Sequence, residues 1–253
     1  MRKSIESRGS SISYRTAGSG KPLLLLAGWS QCADDWWDAG YIDDLAGQFK
    51  IVAIDRLGHG LSDKPHDPSL YQDKGLVADF TAVLDAEGIE RTIVWGFSMG
   101  GKAAYSFATL EPTRISAVVV GGHYPHPGGE AVRQGWIEFG LKLSTPEAVA
   151  GYLRQLGMAE DILAATMERN DAAALGASCT GAAEYFADAA DVRVPSLWYW
   201  GENDSDRFPE AALDLARQLD IETHVVANAN HAESFRKSAD VLAFVLPFLE
   251  RLD

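Results

Sequence analysis

The sequence predicts an α/β fold: a mostly parallel central sheet flanked by helices, with a small helical segment inserted late in the chain. Three observations predict it. Short aliphatic or β-branched runs alternate with longer stretches whose apolar residues recur at helical spacing. The segment Gly96-Phe97-Ser98-Met99-Gly100 sits where one such run gives way to an alanine-rich helical stretch. From Tyr124 to Asp191 the alternation stops, and no clear strand is present.

Taken in order, Lys3 to Thr16 reads as two short antiparallel strands, after which Gly18 and Gly20 turn the chain. Leu23 to Ala27 is continuously aliphatic, as a strand covered on both faces requires. Further strands are expected at Ile51 to Asp55, Thr92 to Phe97, Ile115 to Val120, Ser196 to Trp200 and Glu222 to Ala227. Helices are expected at Asp73 to Glu87, Met99 to Leu110, Pro209 to Leu219 and Ala239 to Leu249. The last carries Val241, Leu242, Val245, Leu246 and Leu249 on one face, which suits a helix lying on a sheet. The strandless stretch opens with the Pro/Gly-rich Pro125 to Gly129. It then reads as helices around Arg133 to Lys142, Pro146 to Leu156, Ala159 to Glu168 and Gly181 to Ala189. A simple crossover needs only about a dozen residues. The expectation is therefore a core formed by 1–123 and 192–253, with 124–191 as a helical lid.

Composition bounds the function. Of 253 residues, 47% are hydrophobic, enough for one large core. Lys plus Arg is 22 and Asp plus Glu is 36, for a formal net charge of −14. Such a surface repels phosphate backbones and anionic lipid, so nucleic acid and membrane are not expected partners and a small molecule is. Cys32 and Cys179 are too few and too far apart for a disulfide framework or a zinc site. Met1 to Ser13 contains no apolar signal-peptide region, and Leu23 to Ala27 is too short to span a bilayer. A cytoplasmic location is the resulting expectation.

The glycine-flanked serine carries the chemistry. At a sharp strand-to-helix turn a serine is held in a strained conformation with its hydroxyl pushed out of the sheet, and the flanking glycines leave room for the turn. The next helix aims its N-terminal amides and partial positive charge at the site. Serine needs a base. His231, in the loop Asn228 to Glu233 after the last strand, is the first candidate, and His123, at the end of the strand after the serine, is its rival. The base needs an orienting carboxylate. Asp204, just past the strand ending at Trp200, fits best, with Glu202 and Asp206 as neighbours of the same type. The order Ser98, Asp204, His231 is that of serine hydrolases with a nucleophile elbow.

These stretches, with Leu23 to Trp37, Asp55-Arg56-Leu57-Gly58-His59-Gly60-Leu61-Ser62-Asp63, and Val194-Pro195 to Asp204, resemble the α/β-hydrolase superfamily, in particular its lid-bearing esterase, peroxidase-like and epoxide-hydrolase-like branch. The resemblance covers nearly the whole chain. It implies an oxyanion hole made by the backbone amides of Trp29 and Met99. Two departures stand out: Ala27 occupies the place of a histidine in the oxyanion loop, and Asn230 the place of a glycine before the base. The resemblance further implies that Arg56 and His59 are scaffold and that Trp36 or Trp37 packs in the core. Relatives that open epoxides or remove halide use Asp where this chain has Ser98, which argues against both chemistries. The expected activity is hydrolysis of a small to medium apolar ester or lactone, with no metal or cofactor. Trp29, Phe97, Tyr124, Trp136 and Phe139 are the foremost candidate pocket residues, with Tyr152, Tyr185 and Phe186 behind them. The same residues serve cleavage of C–C, amide or thioester bonds, or a ligand receptor on the same fold. A diketone acid would call for a basic clamp in the lid, for which Arg133, Lys142, Arg154 and Arg169 are available.

Overall fold

In the computed structural model, which describes residues 1–125, 128–156, 158–207 and 210–252, the chain opens with a hairpin. Strands β1 (Arg2–Ser7) and β2 (Ser10–Ala17) pair antiparallel around Arg8 and Gly9. Both turn residues take positive φ (49° and 77°), the geometry that matches the twist of a two-residue hairpin. Then follow β3 (Lys21–Leu26), α1 (Ala33–Asp38), α2 (Tyr41–Leu45), β4 (Phe49–Ile54), α3 (Asp73–Ala86), β5 (Thr92–Phe97), α4 (Met99–Leu110) and β6 (Ile115–Gly121). Four helices come next: α5 (Glu130–Lys142), α6 (Pro146–Gln155), α7 (Glu160–Arg169) and α8 (Ala172–Ala182). The chain ends with β7 (Ser196–Gly201), α9 (Glu210–Gln218), β8 (Glu222–Val226), α10 (Glu233–Arg236) and α11 (Ser238–Glu250).

The strands form one eight-stranded sheet in the order β1-β2-β4-β3-β5-β6-β7-β8. The β1–β2 and β2–β4 pairs are antiparallel and the rest are parallel. Alternation along β3 divides the core. Leu24 and Leu26 face the side covered by α3 and α4, among Phe80, Val83, Ala104 and Phe107. Leu23 and Leu25 face the side covered by α1, α2 and α11, among Trp36, Tyr41, Val241 and Leu249. Each such side chain, fully removed from water, contributes roughly 1.5–3 kcal/mol. Trp36 is in the core as expected, whereas Trp37 is only partly buried and lies under the Arg15 guanidinium, 3.7 Å from its ring centroid.

The insertion between β6 and β7 departs from the sequence reading at its last helix. The expected helix at Gly181 to Ala189 is absent, and α8 ends at Ala182. Its residues AAALGASCTGA are buried on nearly every side, so no apolar stripe marks the helix in the sequence. Its start is marked instead by a cap: the Asp171 carboxylate accepts the Ala174 amide at 2.8 Å. Gly140 and Gly176 let α5 and α8 touch backbone to backbone, since a Cβ on either would lie 2.5–2.6 Å from the other's carbonyl oxygen. The expected helix start at Pro209 lies outside the described residues. No helix among the described residues is long and apolar enough to cross a membrane.

One ion pair is buried between α3 and α4. Lys102 Nζ lies 2.9 Å from both Asp73 carboxylate oxygens, and Ser106 Oγ donates to Asp73 Oδ1. The same ammonium stands over the rings of Trp136 on α5 and Phe186 in the stretch after α8, 5.8 and 5.1 Å from their centroids, so it also ties the core to the inserted segment. Asp73→Ala leaves this cation without its carboxylate. The expected loss is about 3–5 kcal/mol, read as a drop of roughly 6–20 °C in melting temperature.

Candidate active site

Ser98 stands between β5 and α4 at φ 52° and ψ −118°, a conformation costly for any residue with a Cβ. Its surroundings hold it there. The Ser98 amide donates to Gly121 O at 2.7 Å, and its carbonyl accepts the Gly101 amide at 2.8 Å. The flanking glycines are sterically required. A Cβ on Gly96 would sit 2.1 Å from Gly100 O, and one on Gly100 would sit 2.0 Å from Leu26 O.

Three distant segments meet at this serine. His231 Nε2 lies 3.0 Å from Ser98 Oγ, and His231 Nδ1 lies 2.6 Å from Asp204 Oδ2. An ionised carboxylate only accepts, so the neutral ring carries its proton on Nδ1 and offers Nε2 as acceptor to the serine hydroxyl. Asp204 is 7% exposed, which keeps the pair largely out of water. Glu202 is engaged elsewhere, its carboxylate accepting the Asn228 amide at 2.8 Å. Asp206 lies outside the residues whose side chains are described. The Asn203 amide donates to Ala229 O at 2.9 Å, fastening the Asp204 loop to the His231 loop. Asn230, before the base, is fixed by reciprocal bonding. Its amide donates to Glu233 Oε2 (2.8 Å), and its side-chain oxygen accepts the Glu233 amide (2.9 Å). Ser234 Oγ donates to His231 O at 2.8 Å.

The other histidines have other surroundings. His123 lines the cavity, but the bonds to Ser98 and Asp204 are made by His231. His224 stacks on Phe244 and meets Glu222, and His66 meets Asp171. His59 is fully buried, and burial with the neighbouring Arg56 charge holds its pKa well below the ordinary range.

The loop after β3 brings Trp29 to the same point. Without the histidine that Ala27 replaces, two other side chains brace this loop. Gln31 Oε1 accepts the Gly28 amide at 2.8 Å. The buried Arg56 donates to Ala27 O at 3.2 Å and Gly28 O at 3.0 Å. The Met99 amide, first in α4, has no acceptor within its own helix. Trp29, Ser98 and Met99 line one cavity.

That cavity holds about 530 Å³, within the usual range for small-molecule sites. Of the expected lining residues, Trp29, Phe97, Trp136 and Phe139 are present, together with Tyr152. The Trp29, Phe139 and Tyr152 rings meet edge to face at 5.2–5.8 Å, and Trp29 Nε1 donates to Leu175 O. Tyr124 is a correction. Following Gly122 at φ 61°, it packs against the α3/α4 side of the core instead of lining the cavity. Tyr185 also packs there, and Phe186 lies against Trp136 and Lys102. Met158, Leu156 and Cys179 complete a mainly apolar wall. Burial pushes the thiols of Cys32 and Cys179 up to about 12, so neither offers a thiolate nucleophile at neutral pH.

Arg236 also lines the cavity and was not anticipated from the sequence. The expected basic clamp residues point elsewhere. Arg133 donates to Glu184 O, Arg154 pairs with Glu160, and Arg169 faces Cys32 and Asp35. Lys142, at the end of α5, is not among the lining residues. Only the i, i+4 relation of Arg236 to Ala232, at the turn after His231, carried a hint of its position.

Comparison with known proteins agrees with this architecture. A family model described as the alpha/beta hydrolase fold matches residues 21–140, just under half of the chain, including the Ser98 elbow but neither Asp204 nor His231. A putative 2-succinyl-6-hydroxy-2,4-cyclohexadiene-1-carboxylate synthase of Bacillus subtilis is 30% identical over 113 residues, 43% of this chain and 40% of that protein. The chain likewise spans less than half the length of other curated relatives it matches. Among solved structures, a thermophilic esterase from Thermogutta terrifontis superposes with a TM-score of 0.82 at 19% identity, covering 100% of this chain and 99% of that one. The bottromycin epimerase BotH has the same score and identity, covering 98% and 99%. With its eight-stranded sheet, its serine elbow and these likenesses, the chain has the alpha/beta hydrolase fold.

Proposed function

We propose that this chain is a serine hydrolase that cleaves a carboxylic ester or lactone of a small to medium, largely apolar substrate through an acyl-enzyme. One observation carries the reading: a single imidazole bridges the Ser98 hydroxyl at 3.0 Å and the Asp204 carboxylate at 2.6 Å, beside an apolar cavity. The hydrolase names of several relatives, among them Epoxide hydrolase B, support a hydrolytic reaction, and the esterase neighbour supports the ester bond.

In this reaction Ser98 Oγ attacks the substrate carbonyl carbon while its proton passes to His231 Nε2. The oxygen that becomes negative lies between the Trp29 and Met99 amides, each donor contributing about 3–4 kcal/mol to the barrier reduction. The carbon–oxygen bond to the leaving group then breaks, and His231 returns the proton to that oxygen. Water, deprotonated by the same ring, attacks the acyl-enzyme and releases a carboxylic acid and free Ser98. Asp204 holds the ring in the required tautomer and balances its transient charge. Segment 124–191 serves as the lid in this reading, supported by the contribution of Trp136, Phe139 and Tyr152 to the cavity lining.

The test is a panel of p-nitrophenyl esters of rising acyl length, with lactones, anilides, thioesters and vinylogous diketones alongside. Ester or lactone turnover with a burst of nitrophenol, improving from acetyl to medium acyl chains, is the expected result. Turnover confined to the diketones or anilides would replace the bond assignment, and inertness toward all of them would favour a receptor.

A further inference from the structure

Arg236 gives the cavity a permanent charge that its other described walls lack. Among the described lining residues it is the only one with a permanently charged side chain. Carboxylates outnumber Lys and Arg by 36 to 22 in this chain, and half-buried arginines such as Arg2 and Arg15 and exposed ones such as Arg154 and Arg251 each pair with one. Among the described residues the Arg236 guanidinium has no carboxylate partner, although it is exposed and would gain one readily.

Its support is rigid. Helix α10 is pinned by Phe235, buried against Trp36 and Phe97 at 4.9 and 5.0 Å, and Tyr41 donates to Phe235 O at 2.7 Å. Ala232 and Arg236, one helical turn apart, present the same face to the cavity directly after His231. The position has a chemical meaning. The leaving group departs beside the ring that protonates it, so it lies along the wall that continues from His231.

Resting on the serine-hydrolase reading, we infer that the natural substrate is an ester whose leaving group carries a carboxylate, received by Arg236, with an apolar acyl part against the Trp29–Phe139–Tyr152 cluster. The products are then an apolar carboxylic acid and a hydroxy acid. A guanidinium fits a carboxylate with two parallel N–H···O bonds, which fixes orientation as well as charge.

The experiment compares 4-hexanoyloxybenzoate with 4-hexanoyloxybenzamide, which share an acyl chain and differ by one charge on the leaving group. The readout is the ratio of their kcat/KM values in the wild type, Arg236→Gln and Arg236→Lys. Arg236→Gln is expected to lower the ratio by roughly fivefold to tenfold, the scale of a charge-assisted pair discounted for solvent. Arg236→Lys is expected to fall between, as a point charge without the fork. A ratio unchanged in Arg236→Gln overturns the inference. Calorimetric binding of 4-hydroxybenzoate and 4-hydroxybenzamide to the same proteins separates the two levels. If neither ester is hydrolysed, the hydrolase reading fails. The anion site then stands only if the wild type binds the benzoate more tightly than the benzamide and Arg236→Gln removes that difference.

Discussion

Ser98→Ala is expected to lower the turnover of an activated ester by about 10⁶-fold, the scale seen when the nucleophile of such a constellation is removed. The structure predicts that this loss is chemical and not structural. Alanine keeps the Cβ already accommodated at φ 52°, and the amide bond to Gly121 and the carbonyl bond to Gly101 do not involve the side chain. What disappears is the hydroxyl 3.0 Å from His231. A melting temperature within a few degrees of the wild type, together with lost turnover, is the expected pair of results. Loss of both would assign the residue to the fold, and retained turnover would remove it from the mechanism.

Asp204→Asn is expected to lower kcat by about 10⁴-fold, as when the orienting carboxylate of a similar triad is replaced. The amide is nearly isosteric, and the Asn203 bond to Ala229 keeps the loop in register. The side-chain NH₂ would, however, donate to Nδ1. That drives the ring proton to Nε2 and leaves no acceptor for the serine hydroxyl. Since binding does not need the tautomer, KM is expected to change little. Steady-state kinetics at neutral pH checks this, and a kcat within a few-fold of the wild type would point to Glu202 or another group as the orienting residue.

The sheet was legible because its strands are written in two-sided aliphatic runs, such as Leu23 to Leu26, which divide between two cores. The elbow was legible because its glycines answer to steric contacts of 2.0–2.1 Å that no other residue satisfies. The Asp204 and His231 segments were legible from their places after two parallel strands, where loops gather on one side of such a sheet. Helix α8 was not, because a helix enclosed on nearly all sides has no polar face to set a period. Tyr124 was misplaced because the sequence does not show which way an aromatic side chain points after Gly122 turns the backbone at φ 61°. Arg236 escaped notice for the opposite reason. An arginine on a four-residue helix looks like surface, and its meaning appears only when the loop before it folds across the serine. The brace supplied by Gln31 and Arg56 likewise depends on contacts between segments that sequence spacing does not specify.

The central claim is that the Ser98 hydroxyl is activated by a ring held on Asp204. Its most direct measurement is labelling of the intact protein with a fluorophosphonate, followed by mass spectrometry of the digested chain. One adduct per chain, on the peptide containing Ser98 and lost in both Ser98→Ala and His231→Ala, is the predicted result. An unlabelled wild type, or an adduct on another residue while ester turnover persists, would contradict it.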